Sequence, residues 1–226
     1  MLILGGTDGD RYLDDVWALA LDGVPAWTRL TPSRGPIPGR AGHAAVYDPV
    51  ADRVIIIGGR TSSGPSEDAW SLSLRDGAAW VPLQIPRPSP GELEGHAAVY
   101  DPVRRRVLVI APRAFSGPRT SASWHALRVW SLRLQTPPSW ENLDPSGVRE
   151  SSGMAAVKLL AMGPLSSGPS GGVPEYRKGF AAVYDPVEDL VLVNGGDLLN
   201  DDTSSETWVL ELRRAPAGRR LKLKPN

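Results

Sequence analysis

Hydrophobic and polar positions alternate strictly in one recurring segment of this chain. In Trp70-Ser71-Leu72-Ser73-Leu74, the period of two puts three apolar side chains on one strand face and two serines on the other. The same Trp-x-Leu-x-Leu pattern begins at Trp17, Trp130 and Trp208. Upstream, Val54-Ile55-Ile56-Ile57 is a run of four β-branched residues, which predicts a strand buried on both faces. Between Gly42 and Leu83 four strands follow one another: a (44–47), b (54–57), c (70–74) and d (80–83). The link from a to b, Asp48-Pro49-Val50-Ala51-Asp52-Arg53, has proline to preset φ and aspartate to bond the backbone two residues on. Short links between four strands predict an antiparallel meander, too small to stand alone with a tryptophan-rich face exposed.

This unit is copied along the chain. Ala-Ala-Val-Tyr-Asp-Pro-Val occurs at 44–50, 97–103 and 181–187, and apolar runs end in Gly-Gly at 5–6, 58–59 and 195–196. A second tryptophan follows the first by ten residues at Trp27, Trp80 and Trp140, so only Trp124 of the eight tryptophans stands outside the repeat. The clean period is 53 residues, a spacing that points to stacked units such as propeller blades. The organisation read from this is a partial blade over 1–30 (strands b to d), complete blades over 40–83 and 95–143, an insertion over 144–178, a partial blade over 179–213 (strands a to c) and a basic tail over 214–226. With strand a missing from the first copy and no recognisable strand d in the last, about four blades are expected, forming an incomplete ring or a fragment of a larger one. Leu221-Lys222-Leu223 is the remaining candidate to pair with either end. All seven repeat tryptophans are expected between blades.

These residues resemble the kelch repeat family: Gly42-His43 and Gly95-His96 before a small-residue strand, an apolar strand ending in Gly-Gly, then Asp15-Val16-Trp17 and Trp-x-x-Leu at 27–30, 80–83 and 140–143. Three departures are confined to single blades: Ala111-Pro112 replaces the diglycine, Phe180 the histidine, and Ala69 stands where Val16 precedes Trp17. The resemblance implies an all-β propeller of four-stranded antiparallel blades, a scaffold used mainly for protein interaction and occasionally for enzymes. Fold alone does not choose between those uses.

Composition narrows the choice. Twenty-five basic and 25 acidic residues cancel, so nothing draws the whole chain to nucleic acid or an anionic membrane. No apolar run is long enough to span a bilayer, and no signal peptide is evident; compartment is left undetermined. There is no cysteine, which removes disulfides and also the copper oxidation of sugars known from some kelch-type propellers, since that chemistry needs a cysteine-tyrosine crosslink. No Gly-x-Ser-x-Gly, His-Glu-x-x-His or Walker-type loop is present, and no cofactor is implied. An enzyme acting on a carbohydrate or metabolite is the alternative to a binding module.

His43 and His96 fall at one blade position, which suits packing or hydrogen bonding rather than ligation. Asp8, Asp10, Asp14 and Asp15, with Asp197, Asn200, Asp201 and Asp202 in the matching loop, offer oxygen ligands, but their spacing is not that of an EF-hand and solvated turns are expected.

Loop lengths carry the functional signal. In a meander the a–b and c–d turns emerge at one end, and the b–c and d–a connections at the other. From the strand c tryptophan to that of strand d is ten residues in all three copies, whereas the step from the second glycine position to the strand c tryptophan is eleven, eleven, eighteen and twelve residues. The repeat of strand a also lengthens from 53 to 84 residues between Ala97 and Ala181. Both insertions lie on one rim, and loops on a rigid scaffold are where recognition is usually placed. The candidate binding residues there are Arg60, Arg113, Phe115, Arg119, Trp124, His125, Tyr176 and Arg177, since arginine and aromatic side chains dominate interaction hot spots. The expected partner is a protein segment or a glycan, with self-association through open blade edges also expected. Within the insertion, Gly153-Met154-Ala155-Ala156-Val157 and 158–163 read either as a vestigial a–b pair or as a strand packed on the rim.

Overall fold

The computed structural model describes residues 1–75, 77–112, 127–143, 158–162, 177–198 and 203–212. Every regular element among them is a strand. The first sheet holds β1 (Leu2–Thr7), β2 (Tyr12–Ala20) and β3 (Ala26–Leu30) in that order. In the second, β4 (Ala44–Asp48) and β5 (Arg53–Ile57) are followed by a two-stranded excursion, β6 (Arg60–Thr61) and β7 (Gly64–Pro65), before β8 (Ala69–Ser73) and β9 (Ala79–Pro82) complete the meander. The third repeats it with β10 (Ala97–Asp101), β11 (Arg106–Pro112), β12 (Leu127–Arg133) and β13 (Ser139–Asn142). All neighbouring strands run antiparallel.

The fourth sheet departs from the sequence expectation of a three-stranded last copy. It contains β14 (Lys158–Met162), β15 (Ala181–Asp185), β16 (Leu190–Asn194) and β17 (Thr207–Glu211), in the order β14-β17-β16-β15. The insertion therefore supplies the outer strand, with Lys158 opposite Glu211 and Met162 opposite Thr207. Strand c of this copy would otherwise leave a row of backbone donors and acceptors unpaired, and the chain ahead of strand a fills that edge. Residues 221–223, the alternative candidate, and 153–157 lie outside the described residues.

The sheets pack face to face in chain order, and strand b is the reason. Val54 and Ile56 of β5 turn toward the first sheet, into a cluster with Val16, Ile37, Leu72 and Trp80. Ile55 and Ile57 turn the other way, against Val107, Val109, Trp130 and Trp140 of the third sheet. Leu108 and Ile110 then meet Val191, Val193, Trp208 and Leu210 of the fourth. Residues 54–57 and 107–110 are all buried, as expected for strands apolar on both faces. Four sheets thus share three apolar interfaces in a propeller-like arrangement, and no closed ring is formed among the described residues.

That geometry corrects the expectation for two tryptophans. Trp80, Trp130, Trp140 and Trp208 are buried and Trp70 half-buried, whereas Trp17 and Trp27 remain 37% and 49% exposed. In each internal interface a sheet presents its tryptophan-bearing face to the sheet before it, and no described sheet precedes the first. Trp130 and Trp140 meet edge to face at 6.4 Å, a favoured aromatic arrangement. Trp140→Ala should therefore cost roughly 3–5 kcal/mol in denaturant unfolding, and Trp27→Ala much less. Equal losses would contradict this assignment of faces.

Candidate functional site: one rim of the stacked sheets

The rim built from the b–c and d–a connections has a floor of backbone hydrogen bonds. Gly42, Gly95 and Gly179 open strand a in the second, third and fourth sheets. Gly95 N–H donates to the Gly42 carbonyl and Gly179 N–H to the Gly95 carbonyl, both at 2.9 Å. All three adopt φ near +65°, a conformation that a side chain disfavours. A second link uses the diglycines: Gly6 N–H donates to the Arg40 carbonyl at 2.8 Å, and Gly59 N–H to the Leu93 carbonyl at 2.6 Å. A Cβ on Gly58 would stand 2.6 Å from Leu93 atoms, and one on Gly59 2.8 Å from the His43 Cβ. At the equivalent point of the third sheet Pro112 has no N–H to donate, so this link cannot recur there.

Two buried arginines clamp the floor to the walls. The Arg40 guanidinium, 1% exposed, donates from Nη1 to the Gly58 carbonyl at 2.8 Å and from Nη2 to Asp68 Oδ2 at 2.9 Å, while Trp70 Nε1 donates to the same carboxylate at 2.7 Å. Burial by itself would raise the Asp68 carboxyl, but the bonds from Arg40 and Trp70 outweigh it and hold the group below the usual carboxylate range. The fourth sheet repeats the device. Arg177 Nη1 reaches the Gly195 carbonyl at 3.2 Å and Ser204 Oγ at 3.0 Å, Nη2 reaches Glu206 Oε2 at 3.0 Å, and Trp208 Nε1 donates to that carboxylate at 3.1 Å. The hydrogen bond from Arg177 lowers the pKa of Glu206. In the third sheet Leu93 occupies the clamp position and is buried, and the buried Trp130 Nε1 has no hydrogen-bond partner among the described residues.

The two histidines sit beside this floor. His96 is buried with neither ring nitrogen bonded among the described residues, and His43 is partly buried with a backbone hydrogen bond at Leu4. Burial lowers both imidazoles to about 4, helped at His43 by the charge of Arg40 and at His96 by His43. Phe180 fills the same place in the fourth sheet and is equally buried, which fits a packing position.

Of the residues singled out from sequence, Arg60 lies on this rim with its side chain 42% exposed, its Nε 3.7 Å from Glu94 Oε2. Arg177 is a correction: its side chain is 1% exposed and turned inward as a clamp, because the carbonyl and carboxylate beneath it need a donor. Arg113, Phe115, Arg119, Trp124, His125 and Tyr176 lie outside the described residues. Sequence reading missed Glu94, and it missed Glu67, which accepts from Arg87 Nη2 at 2.8 Å and Ser89 Oγ at 2.9 Å and so ties a b–c loop to a d–a connection. It missed the clamps as well, although the recurring Arg-x-Gly before strand a and acid-x-Trp into strand c were visible signals. Asp8 serves its own turn, accepting from the N–H groups of Asp10 and Arg11, and Asp15 accepts from Trp17 Nε1 at 2.8 Å. On the same rim, between the first two sheets, a cleft of about 360 Å³ is lined by Asp14, Asp15, Arg29, Pro36 and Trp80 among others.

The opposite end is uniform. Asp52, Arg105 and Asp189 hold equivalent turn positions with φ of 51°, 50° and 55°. There Arg104 grips Asp189 through two bonds of 2.8 and 2.7 Å and also bonds Asp101, stapling the third and fourth sheets.

Comparison with known proteins gives partial matches. Over 111 residues, 47% of this chain, the sequence is 33% identical to serine/threonine-protein phosphatase BSL2 of Arabidopsis thaliana, and the matched region is 11% of that protein. The chain thus spans about a tenth of the length of that curated relative. No family model matches.

Two measurements check the reading of the floor. Replacing Arg40 by methionine should destabilise the protein by about 1–3 kcal/mol, because the Gly58 carbonyl loses its guanidinium donor and Asp68 loses the bonds from Arg40 while keeping the one from Trp70; an unchanged unfolding midpoint would contradict the clamp. For His96 the folded pKa of about 4 lies below the 6.5 of the unfolded group, so between these values only the unfolded state takes up the proton. Its contribution is fully present above pH 6.5 and is lost as pH falls toward 4. The His96→Phe variant should lose less stability than the parent between pH 7 and pH 5 in parallel urea titrations.

Proposed function

We propose that this chain is a kelch-like binding module that recognises a protein segment or a glycan with the rim formed by its b–c and d–a loops. The observation that carries this reading is the asymmetry of the loops: the c–d step keeps one length in all three copies that have it, whereas the b–c step before Trp130 is eighteen residues against eleven or twelve elsewhere; the second insertion supplies β14 and is not confined to the rim. The rim's floor supports it further. Glycine-mediated backbone bonds and the Arg40 and Arg177 clamps keep the attachment points of the loops rigid, and rigid attachment lowers the ordering cost of recognition. Arg60 and Glu94 form an open, partly exposed pair that a ligand can rearrange, since exposed ion pairs contribute little by themselves. Arg113, Phe115, Arg119, Trp124, His125 and Tyr176 belong to the same loops and extend the proposed surface. The similarity to a segment of a much longer phosphatase is compatible with a module that serves a larger protein, and it carries no phosphatase chemistry to this chain.

The test uses ligands selected on the intact chain from a displayed-peptide library and a glycan array. Deleting residues 114–123 should abolish binding while leaving the melting temperature nearly unchanged, Arg60→Ala should weaken it, and Asp22→Ala in an opposite turn should leave it intact. A turn variant that loses the ligand while the deletion keeps it would reverse the assignment of the rim.

A further inference from the structure

The two ends of the stack expose the two halves of the interface that is otherwise buried three times inside it. In the second and third internal interfaces the earlier sheet offers a face centred on the valine of strand a and the strand b residue opposite it, and in all three the later sheet answers with strand b residues and tryptophan, from strands c and d in the second and third sheets and from strand c alone in the fourth. The offering pairs are Val46 with Ile55 and Val99 with Leu108, each cross-strand neighbours. All four are at most 8% exposed. Their counterparts in the fourth sheet, Val183 and Leu192, face each other in the same register yet are 62% and 38% exposed.

The answering face shows the converse. Ile56 and Trp80 in the second sheet and Val109 and Trp140 in the third are buried. The matching residues of the first sheet are Ile3, opposite Trp17, and Trp27, opposite Leu19. Ile3 is 47% exposed, and Trp17 and Trp27 remain accessible as described. Two polar positions on the fourth sheet's face, Asn194 and Thr207, are joined by a 2.8 Å bond from Asn194 Nδ2 to Thr207 Oγ1.

We infer that a second copy of this chain docks head to tail, the Val183 and Leu192 face of one copy covering the Ile3, Trp17 and Trp27 face of the other. The occupant is identified by continuity with the established packing. What covers a tryptophan face in this molecule is the preceding sheet's strand b face, with strand a beside it where that sheet has one, and the exposed strand a and b surface of that kind is Val183 and Leu192 of the fourth sheet. Clustered exposed apolar side chains at both ends are candidates for association, and a contact between two different faces is heterologous, leading to a closed ring or to continued growth.

Heterologous docking makes a demanding experiment possible. Sedimentation velocity on the intact chain over a hundredfold concentration range should show association. Val183→Arg blocks one face and Ile3→Arg the other, both at exposed positions that leave the internal interfaces alone, and circular dichroism confirms that each variant stays folded. Each variant alone should be monomeric, because every contact needs one face of each kind. Mixed in equal amounts, the two should form a dimer and nothing larger. A parent chain that stays monomeric throughout overturns the inference, as does a single variant that still self-associates or a mixture that stays monomeric. Ligand binding by the rim is not required for any of these outcomes, so this inference and the proposed function fail separately.

Discussion

The burial of strand b on both faces is the constraint from which the rest of the molecule follows. A strand whose side chains are apolar in both directions is stable only between two other layers, so β5 and β11 each demand a sheet on either side. Chain connectivity then makes successive units those neighbours, and sheets of three or four strands that would be marginal alone share three continuous apolar interfaces. The tryptophans of strands c and d supply much of the area on the answering side of each interface. Their exposure in the first sheet follows from the same rule, since that sheet has only one described neighbour.

Apolar packing sets the order of the sheets but is poorly directional, and the rim is where direction is imposed. The hydrogen bonds from Gly95 to Gly42 and from Gly179 to Gly95 link the starts of successive strands a, and the diglycines allow backbone to approach backbone where a Cβ would collide. Buried guanidinium groups complete the arrangement by satisfying a carbonyl and a carboxylate at once. The third sheet lacks both the clamp arginine and the diglycine, having Leu93 and Pro112 in their places, and it is also the sheet with the longest b–c loop.

The uniform end has its own logic. Equivalent residues in the left-handed region at 52, 105 and 189 show one turn geometry copied three times, and the Arg104 to Asp189 pair adds a link between sheets.

Much of this was legible before any coordinates. Strand identity followed from the period of two in Trp70 to Leu74 and from the β-branched run at 54–57, because local side-chain alternation is a property of the chain itself. The repeat, the antiparallel meander and the extra length of the b–c connection before Trp130 followed from the order and spacing of copied segments, whereas the second insertion, expected on the same rim, runs across the fourth sheet as β14. Other features depended on contacts between residues far apart in sequence, where no local pattern reports the outcome. Sequence order placed strand d after strand c, yet the outer strand of the fourth sheet comes from Lys158–Met162, ahead of its strand a, since any segment able to extend can satisfy an open edge. Arg177 read as a surface contact until the Gly195 carbonyl and Glu206 were seen to surround it. Trp27 and Trp80 are equivalent in sequence, but one is exposed and the other buried: a side chain's pattern determines which face of its sheet it occupies, and only the tertiary structure decides whether another layer lies against that face.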